Sequence, residues 1–162
     1  MAFSSARPED LLFDAARKGD VAYLQHLLDA GIDVNLQDGR GFTALILASY
    51  DGHLEATRLL LEANADPNIQ DVSGNSALMG VCFKGYDEIA RLLIQHGADL
   101  NLRNGNEGTA LMFATLFGRN KLVKIVVEAG ADQRLRDKRG FSARDLAVQQ
   151  GNEEALQLLT AE

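Results

Sequence analysis

The sequence predicts an all-α fold in which helix–turn–helix repeats stack into an α-solenoid, with hairpin-like turns projecting at right angles to the helices. Three observations support this prediction. A pattern recurs every 33 residues, each recurrence holds two short apolar stretches of helical length, and a glycine separates the two stretches. A unit of this kind cannot bury its apolar face alone, so consecutive units are expected to stack on one another.

The repeat is visible when its units are aligned. "DGRGFTALILASYDGHLEATRLLLEANADPNIQ" begins at Asp38, "DVSGNSALMGVCFKGYDEIARLLIQHGADLNLR" at Asp71 and "NGNEGTALMFATLFGRNKLVKIVVEAGADQRLR" at Asn104, with 33 residues between successive starts. "DKRGFSARDLAVQQGNEEALQLLTAE" follows from Asp137, and the segment from Pro8 fits the same frame with a degenerate start. We therefore predict one domain, residues 1–162, with five units: 8–37, 38–70, 71–103, 104–136 and 137–162.

Each unit carries signals for the start and end of its first helix. A hydroxyl residue precedes the apolar stretch and is suited to cap the first backbone N–H groups. A glycine follows the stretch, where the chain is expected to leave the helix through a left-handed turn. The capping residues are Thr43, Ser76, Thr109 and Ser142, and the glycines are Gly52, Gly85, Gly118 and Gly151.

These patterns resemble the ankyrin repeat. The matching stretches are "GFTAL", "DGHLEA", "LLLEA" and "ADPN" with their equivalents, and the resemblance covers residues 8–162. "PEDLLFDAARKGD" resembles an N-terminal cap and "DKRGFSARDLAVQQGNEEALQLL" a C-terminal one. The family's "TPLH" is replaced by "TALI", "SALM", "TALM" and "SARD", and the "TALM" form looks more like bacterial members. In "SARD", Ser142 and Asp145 are predicted to form a capping box.

Two further departures from the repeat carry predictions. Glu107 stands where neighbouring units have the turn glycine, so we expect a reshaped hairpin tip in that unit. Gly80 occupies a helix position that holds Leu47, Phe113 or Leu146 elsewhere. We expect Phe113 to fill the vacated space, so that Gly80→Leu overpacks it and destabilises the fold.

Composition limits the classes of function. The net charge of −7 argues for a soluble protein and against general nucleic-acid binding. No window approaches a membrane-spanning apolar run, and "MAFSSARPEDLL" has acidic residues where a signal peptide needs an apolar stretch. The single cysteine cannot form an intramolecular disulfide. We expect a cytoplasmic protein, monomeric and without a membrane or nucleic-acid partner.

No arrangement of residues predicts catalysis, a cofactor or a metal. His26, His53 and His96 are scattered, and His53 lies where the family often has a structural histidine. Cys82 falls in a small-residue helix position and is expected to be a buried, inert thiol. "GRG" and "GNEG" lack the Gly-Lys-Ser/Thr of a phosphate-binding loop. The sequence therefore predicts a protein that is not an enzyme.

The resemblance implies a protein–protein interaction module that binds through its concave face and hairpin tips. Tyr50, Phe83 and Leu116 are 33 residues apart, so stacking should place them in a row. The alternative is that such side chains pack mainly against the adjacent helix. The predicted partner-binding residues are Arg40, Phe42, Tyr50, Asp51, Phe83, Lys84, Arg103, Leu116, Phe117, Arg136, Lys138, Arg139 and Phe141.

Charge favours one kind of partner. Residues 103–144 carry nine Lys or Arg and four Asp or Glu, whereas the chain as a whole is acidic. An acidic segment of a protein or peptide could dock on this basic block, or the block could be an ordinary solvated surface. The other functions left open are a structural scaffold without a dedicated partner and a regulator that binds a small ligand or nucleic acid.

Overall fold

The computed structural model describes residues 7–160 and is all-helical across them, as predicted. Residues 1–6 and 161–162, which the predicted domain includes, lie outside the described part. In the described part of the chain, ten helices follow one another in five pairs: α1 Pro8–Lys18 and α2 Val21–Asp29, α3 Ala44–Tyr50 and α4 Leu54–Glu62, α5 Ala77–Lys84 and α6 Asp87–Gln95, α7 Ala110–Leu116 and α8 Asn120–Glu128, α9 Ala143–Gln150 and α10 Glu153–Leu158.

The pairs stack into two layers of helices. Along one layer α1, α3, α5, α7 and α9 contact one another in order, and along the other α2, α4, α6, α8 and α10 do the same. The leucines Leu45, Leu78 and Leu111 of the first layer and Leu60 and Leu93 of the second are almost completely buried. Each pair thus buries its apolar face against its neighbours, which is the packing expected for a repeat that has no core of its own.

The predicted helix signals are confirmed. The Thr43 hydroxyl accepts the N–H of Ile46 at 3.1 Å, and Ser76 and Thr109 cap their helices in the same way. At α9 the backbone N–H of Asp145 donates to the Ser142 hydroxyl at 3.2 Å, and the Asp145 carboxylate accepts the Ser142 N–H at 3.0 Å. This reciprocal pair is the predicted capping box.

The hairpin tip of the unit from Asn104 corrects a prediction, because it is not reshaped. The Asn104 side-chain oxygen accepts the N–H groups of Asn106 and Gly108, at 3.0 and 2.9 Å, as the Asp38 carboxylate does two units earlier. The turn is kept because Glu107 itself adopts the left-handed conformation, with φ of 60°. The departure from glycine is therefore accommodated as local backbone strain.

Within residues 7–160, no helix is both long and apolar enough to cross a membrane.

Candidate partner-binding surface

Three aromatic side chains form a row along the surface made by the first-layer helices and the turns that precede them. The Tyr50 and Phe83 rings are parallel to within 2°, with centroids 6.3 Å apart. Phe83 and Phe117 meet edge to face, with centroids 4.6 Å apart. Tyr50 is 41% exposed and Phe117 44% exposed, while Phe83 is half-buried between them. We call these three residues the aromatic row.

The third member of the row differs from the prediction. Leu116 keeps the 33-residue spacing from Phe83, but its side chain is half-buried against the core and lines a small recess beside Phe113 and Leu146. Phe117, one residue later, has the reach to place its ring against Phe83. The ring that contacts Phe83 therefore belongs to the residue after the 33-residue position.

Two charged residues flank the row. The Lys84 ammonium lies 4.9 Å from the centroid of the Tyr50 ring and 6.0 Å from that of Tyr86, so the cation rests over aromatic faces. Asp51, directly after Tyr50, is exposed. Lys84 and Asp51 therefore present opposite charges beside the same ring.

An open recess of about 510 Å³ lies beside the aromatic row at Gly80, and we call it the Gly80 pocket. A Cβ at Gly80 would come 3.0 Å from Cδ1 of Tyr50. The neighbour of the missing side chain is thus Tyr50 of the preceding pair, and the prediction that Phe113 fills the space is wrong. The apolar walls are Ile46, Leu47, Tyr50, Met79, Phe83 and Phe113.

The tip aromatics Phe42 and Phe141 are half-buried and pack against the core. Phe42 also lines the Gly80 pocket, whereas Phe141 lies under the Arg139 guanidinium, whose central carbon is 4.9 Å from the ring centroid. Both residues are therefore partly packed against the core and partly exposed at the turn. Packing and partner contact, the two roles that the sequence left open for such side chains, are compatible here.

A ladder of hydrogen bonds runs along the hairpins through the last residue of each unit. The Gln70 side-chain amide donates to the Gly74 carbonyl at 2.7 Å and to the Arg103 carbonyl of the next unit at 2.9 Å. Gln37 makes the equivalent bonds to Gly41 and Gln70, at 3.0 and 3.3 Å. One side chain thus joins its own turn to the following unit.

Arg103 and Arg136, predicted as partner-binding residues, continue this ladder. Arg103 donates to the Glu107 carbonyl at 3.4 Å and also to the Arg136 carbonyl. Arg136 donates to the Gly140 carbonyl at 2.8 Å and pairs with the Asp145 carboxylate at 2.9 Å. Both arginines are exposed but have intramolecular partners, a role that the recurrence of long polar donors at positions 37, 70, 103 and 136 could have signalled.

The other basic residues that the sequence predicted to bind a partner fall into two groups. Arg139 pairs with Asp137 at 2.9 Å. Desolvation acts to raise the pKa of Asp137, but the N–H groups of Phe141 and Arg139 and the Arg139 guanidinium outweigh it and hold the pKa below its ordinary value. Arg40 and Lys138 are exposed, and neither makes an ion pair with another residue of the range 7–160.

The cysteine and histidine with predicted structural positions occupy them. Cys82 is completely buried, and burial raises the pKa of its thiol to about 12, so the thiol stays protonated. His53 Nε2 lies 2.7 Å from the carbonyl oxygen of Arg17, which ties α4 to the preceding pair. Among residues 7–160, no three His, Cys, Asp or Glu side chains come together as metal ligands.

Comparison with known proteins agrees with this architecture. A family model described as ankyrin repeats in three copies matches residues 12–104, which is more than half of the chain. The chain belongs to the ankyrin repeat family. Members of this family are generally protein–protein interaction modules and typically non-catalytic.

Three relatives share part of this sequence. Ankyrin repeat domain-containing protein 29 of Danio rerio is 48% identical over 60 residues, which are 36% of this chain and 20% of the relative. A putative ankyrin repeat protein of Pseudomonas aeruginosa is 46% identical over 48 residues, 30% of this chain and 28% of the relative. Ankyrin repeat domain-containing protein 29 of Homo sapiens is 40% identical over 60 residues, which are 36% of this chain and 20% of the relative. The chain thus spans less than a third of each relative.

Proposed function

We propose that this chain is a non-catalytic binding module that holds a protein or peptide partner on the concave face formed by its first-layer helices and hairpin tips. The observation that carries the proposal is the aromatic row, two of whose rings are more than 40% exposed. Exposed aromatic groups arranged side by side are typical of interaction surfaces.

The binding free energies expected for ring burial and for ion pairs favour the aromatic row over the charged residues as the main source of affinity. Covering the exposed part of one ring with apolar partner atoms is worth about 2 kcal/mol. An exposed ion pair is worth about 0–1 kcal/mol, because solvent screens it and two long side chains must be ordered. Tyr50 and Phe117 therefore offer the most area to a partner, and Phe83, which contacts both rings, holds them side by side.

The charged residues contribute orientation and partner choice. Arg40 and Lys138, which have no ion-pair partner within residues 7–160, are available to a carboxylate of the partner. Arg103, Arg136 and Arg139 would contribute less, because their guanidinium groups already bind carbonyls or carboxylates of the chain. An acidic segment remains the partner that this surface suits best.

The proposal extends to the organisation of the chain. The five helix pairs support five units within one domain, with the boundaries given above, and the buried, protonated Cys82 is compatible with a reducing cytoplasm. The "TALM" form of the repeat supports a bacterial origin. We propose a monomer, which size-exclusion chromatography with light scattering tests directly.

The double variant Phe83→Ala/Phe117→Ala tests the proposal. Partner proteins are captured from the source cell on the immobilised wild-type chain, identified by mass spectrometry and then offered to the variant. We expect the far-ultraviolet circular dichroism to be preserved and capture to be lost. The matched control is Val21→Ala/Tyr23→Ala, which truncates two exposed large side chains on α2, in the other helix layer. Undiminished capture by a folded double variant would place the partner elsewhere.

A further inference from the structure

We infer that the Gly80 pocket receives one apolar side chain of an extended acidic segment of the partner, and that Arg40 pairs with a carboxylate of the same segment. This inference rests on the proposed function and specifies the recognition chemistry at one position of the surface.

The pocket exists because one unit lacks a side chain that its neighbours have. Leu47, Phe113 and Leu146 occupy the equivalent helix position in three other units, whereas at Gly80 the Tyr50 ring lies over the bare helix and the space beside the ring is open. Its walls come from two consecutive helix pairs and from Phe113 of a third. The recess therefore sits between stacked units, where an apolar group would touch ring and aliphatic atoms on several sides.

The pocket has room for a large apolar side chain. Its volume of about 510 Å³ lies in the range of ordinary ligand pockets, and its lining is mainly aromatic and aliphatic. Tyr50 and Phe83, at its mouth, are also members of the aromatic row. An apolar residue bound there would be covered by the pocket, while the flanking residues of the segment would run along the row.

Charge at the rim selects an acidic segment. The carboxylate of Asp71 lines the pocket, but one of its oxygens accepts the N–H groups of Ser73 and Asn75, both at 2.9 Å, within its own turn. Arg40 also lines the pocket, is exposed, and makes no ion pair within residues 7–160. The cation is thus available to a partner, whereas the carboxylate is engaged.

A second cation lies beside one of the residues that line the pocket. The Lys84 ammonium rests over the Tyr50 ring, and Tyr50 lines the pocket. A segment that inserts an apolar side chain beside Tyr50 would bring its neighbouring carboxylates near both Arg40 and Lys84. Because the exposed Asp51 offsets the charge of Lys84 beside Tyr50, Arg40 is the cation that favours an acidic residue next to the apolar one.

The experiment uses a phage-displayed library of random linear peptides, selected on the full-length wild-type chain. We expect the enriched peptides to share one large apolar residue close to Asp or Glu. Synthetic copies are then titrated by fluorescence anisotropy against wild type, Gly80→Leu, Arg40→Gln and Gln95→Leu. Gln95→Leu is the matched control, because it adds a leucine at an exposed position of α6 without changing charge.

The expected effects differ between the variants. Gly80→Leu places a side chain where the apolar group of the peptide would bind and should raise the Kd at least about tenfold, the usual loss when an apolar group has no pocket. Arg40→Gln should raise the Kd about threefold and reduce its dependence on salt, as is typical of an exposed ion pair. Gln95→Leu should leave the Kd unchanged. Circular dichroism melting confirms that each variant is folded.

A second variant keeps the test open if Gly80→Leu fails to fold. Phe113→Ala enlarges the pocket from its other side and should shift the peptides selected toward larger apolar residues. Peptides that bind wild type and folded Gly80→Leu equally would overturn the pocket while leaving the proposed binding face intact. If the library enriched no sequence, the inference about an extended segment would be overturned. If peptide binding also survived Phe83→Ala/Phe117→Ala, the proposed binding face would be overturned as well.

Discussion

The ring of Tyr50 lies directly over Gly80, so that a Cβ at Gly80 would come 3.0 Å from Cδ1 of Tyr50. This relationship crosses two consecutive helix pairs, since Tyr50 ends α3 and Gly80 lies within α5. The glycine keeps the ring close to the helix and leaves the space beside it open. A helix position and a surface aromatic residue are therefore coupled across the stack.

Gly80→Ala is expected to raise the free energy of unfolding by about 0.5 kcal/mol. Alanine is favoured over glycine within a helix by about 1 kcal/mol, and part of this gain is lost because the Tyr50 ring must move slightly toward solvent. Urea denaturation measures the change. Gly39→Ala is the control, since a Cβ there meets no atom within 4 Å. A loss of stability specific to Gly80→Ala would mean that Tyr50 cannot move.

Glu107→Gly is expected to stabilise the fold by about 1 kcal/mol. Glu107 has a φ of 60°, a conformation that costs a non-glycine residue roughly this amount and costs glycine almost nothing. Thermal or urea unfolding checks the prediction. Asn64→Gly is the matched control, because Asn64 has a φ of 68° but asparagine tolerates this region, so its gain should be smaller. Equal gains at both sites would contradict the account of the turn.

Gln70→Ala is expected to lower the free energy of unfolding by about 1–2 kcal/mol, since it removes two hydrogen bonds that join one turn to the next unit. The comparison variant is Gln149→Ala, at an exposed position near the end of α9. Chemical denaturation followed by circular dichroism separates the two. If both substitutions had the same effect, the ladder would not contribute to stacking.

The capping box at α9 predicts a pH dependence. The N–H group of Ser142 lowers the pKa of Asp145 most, desolvation opposes it, and the Ser142 hydroxyl and Arg136 lower it further, so the folded pKa lies below the ordinary 3.8. A depressed pKa stabilises the fold above the unfolded value, and this stabilisation is lost as the pH falls below about 4.

Asp145→Asn should therefore lower the melting temperature at pH 7, and the difference from wild type should shrink as the pH falls below about 4. Melting curves across this range measure both effects. A difference that stayed constant with pH would show that the Asp145 charge has no part in the cap.

Much of the fold could be predicted from the sequence, because each unit repeats the same kinds of capping and packing residues at equivalent positions. The capping residues, the helix ends and the burial of Cys82 depend on nearby residues and on a slot shared by all units, so one sequence carries enough information. The sequence could not show that the ring in contact with Phe83 is that of Phe117, because this contact depends on how far side chains of two consecutive units reach.

The basic residues show the same limit. The sequence indicated a positively charged surface. In the structure, however, the guanidinium groups of Arg103 and Arg136 donate hydrogen bonds to backbone carbonyls that lie 33 and 4 residues further along the chain, respectively. Charge composition cannot distinguish a free guanidinium from one bound within the chain. Only the three-dimensional arrangement separates these residues from Arg40, which lines an open pocket.

Isothermal titration calorimetry of Phe83→Ala with the captured partner measures what the aromatic row contributes to binding. Phe117→Ala is measured beside it, because that ring is more exposed and its loss least affects folding. We expect each folded variant to lose about 2 kcal/mol of binding free energy, roughly a thirtyfold rise in Kd. A Kd unchanged from wild type in both folded variants would show that the partner does not bind on the aromatic row.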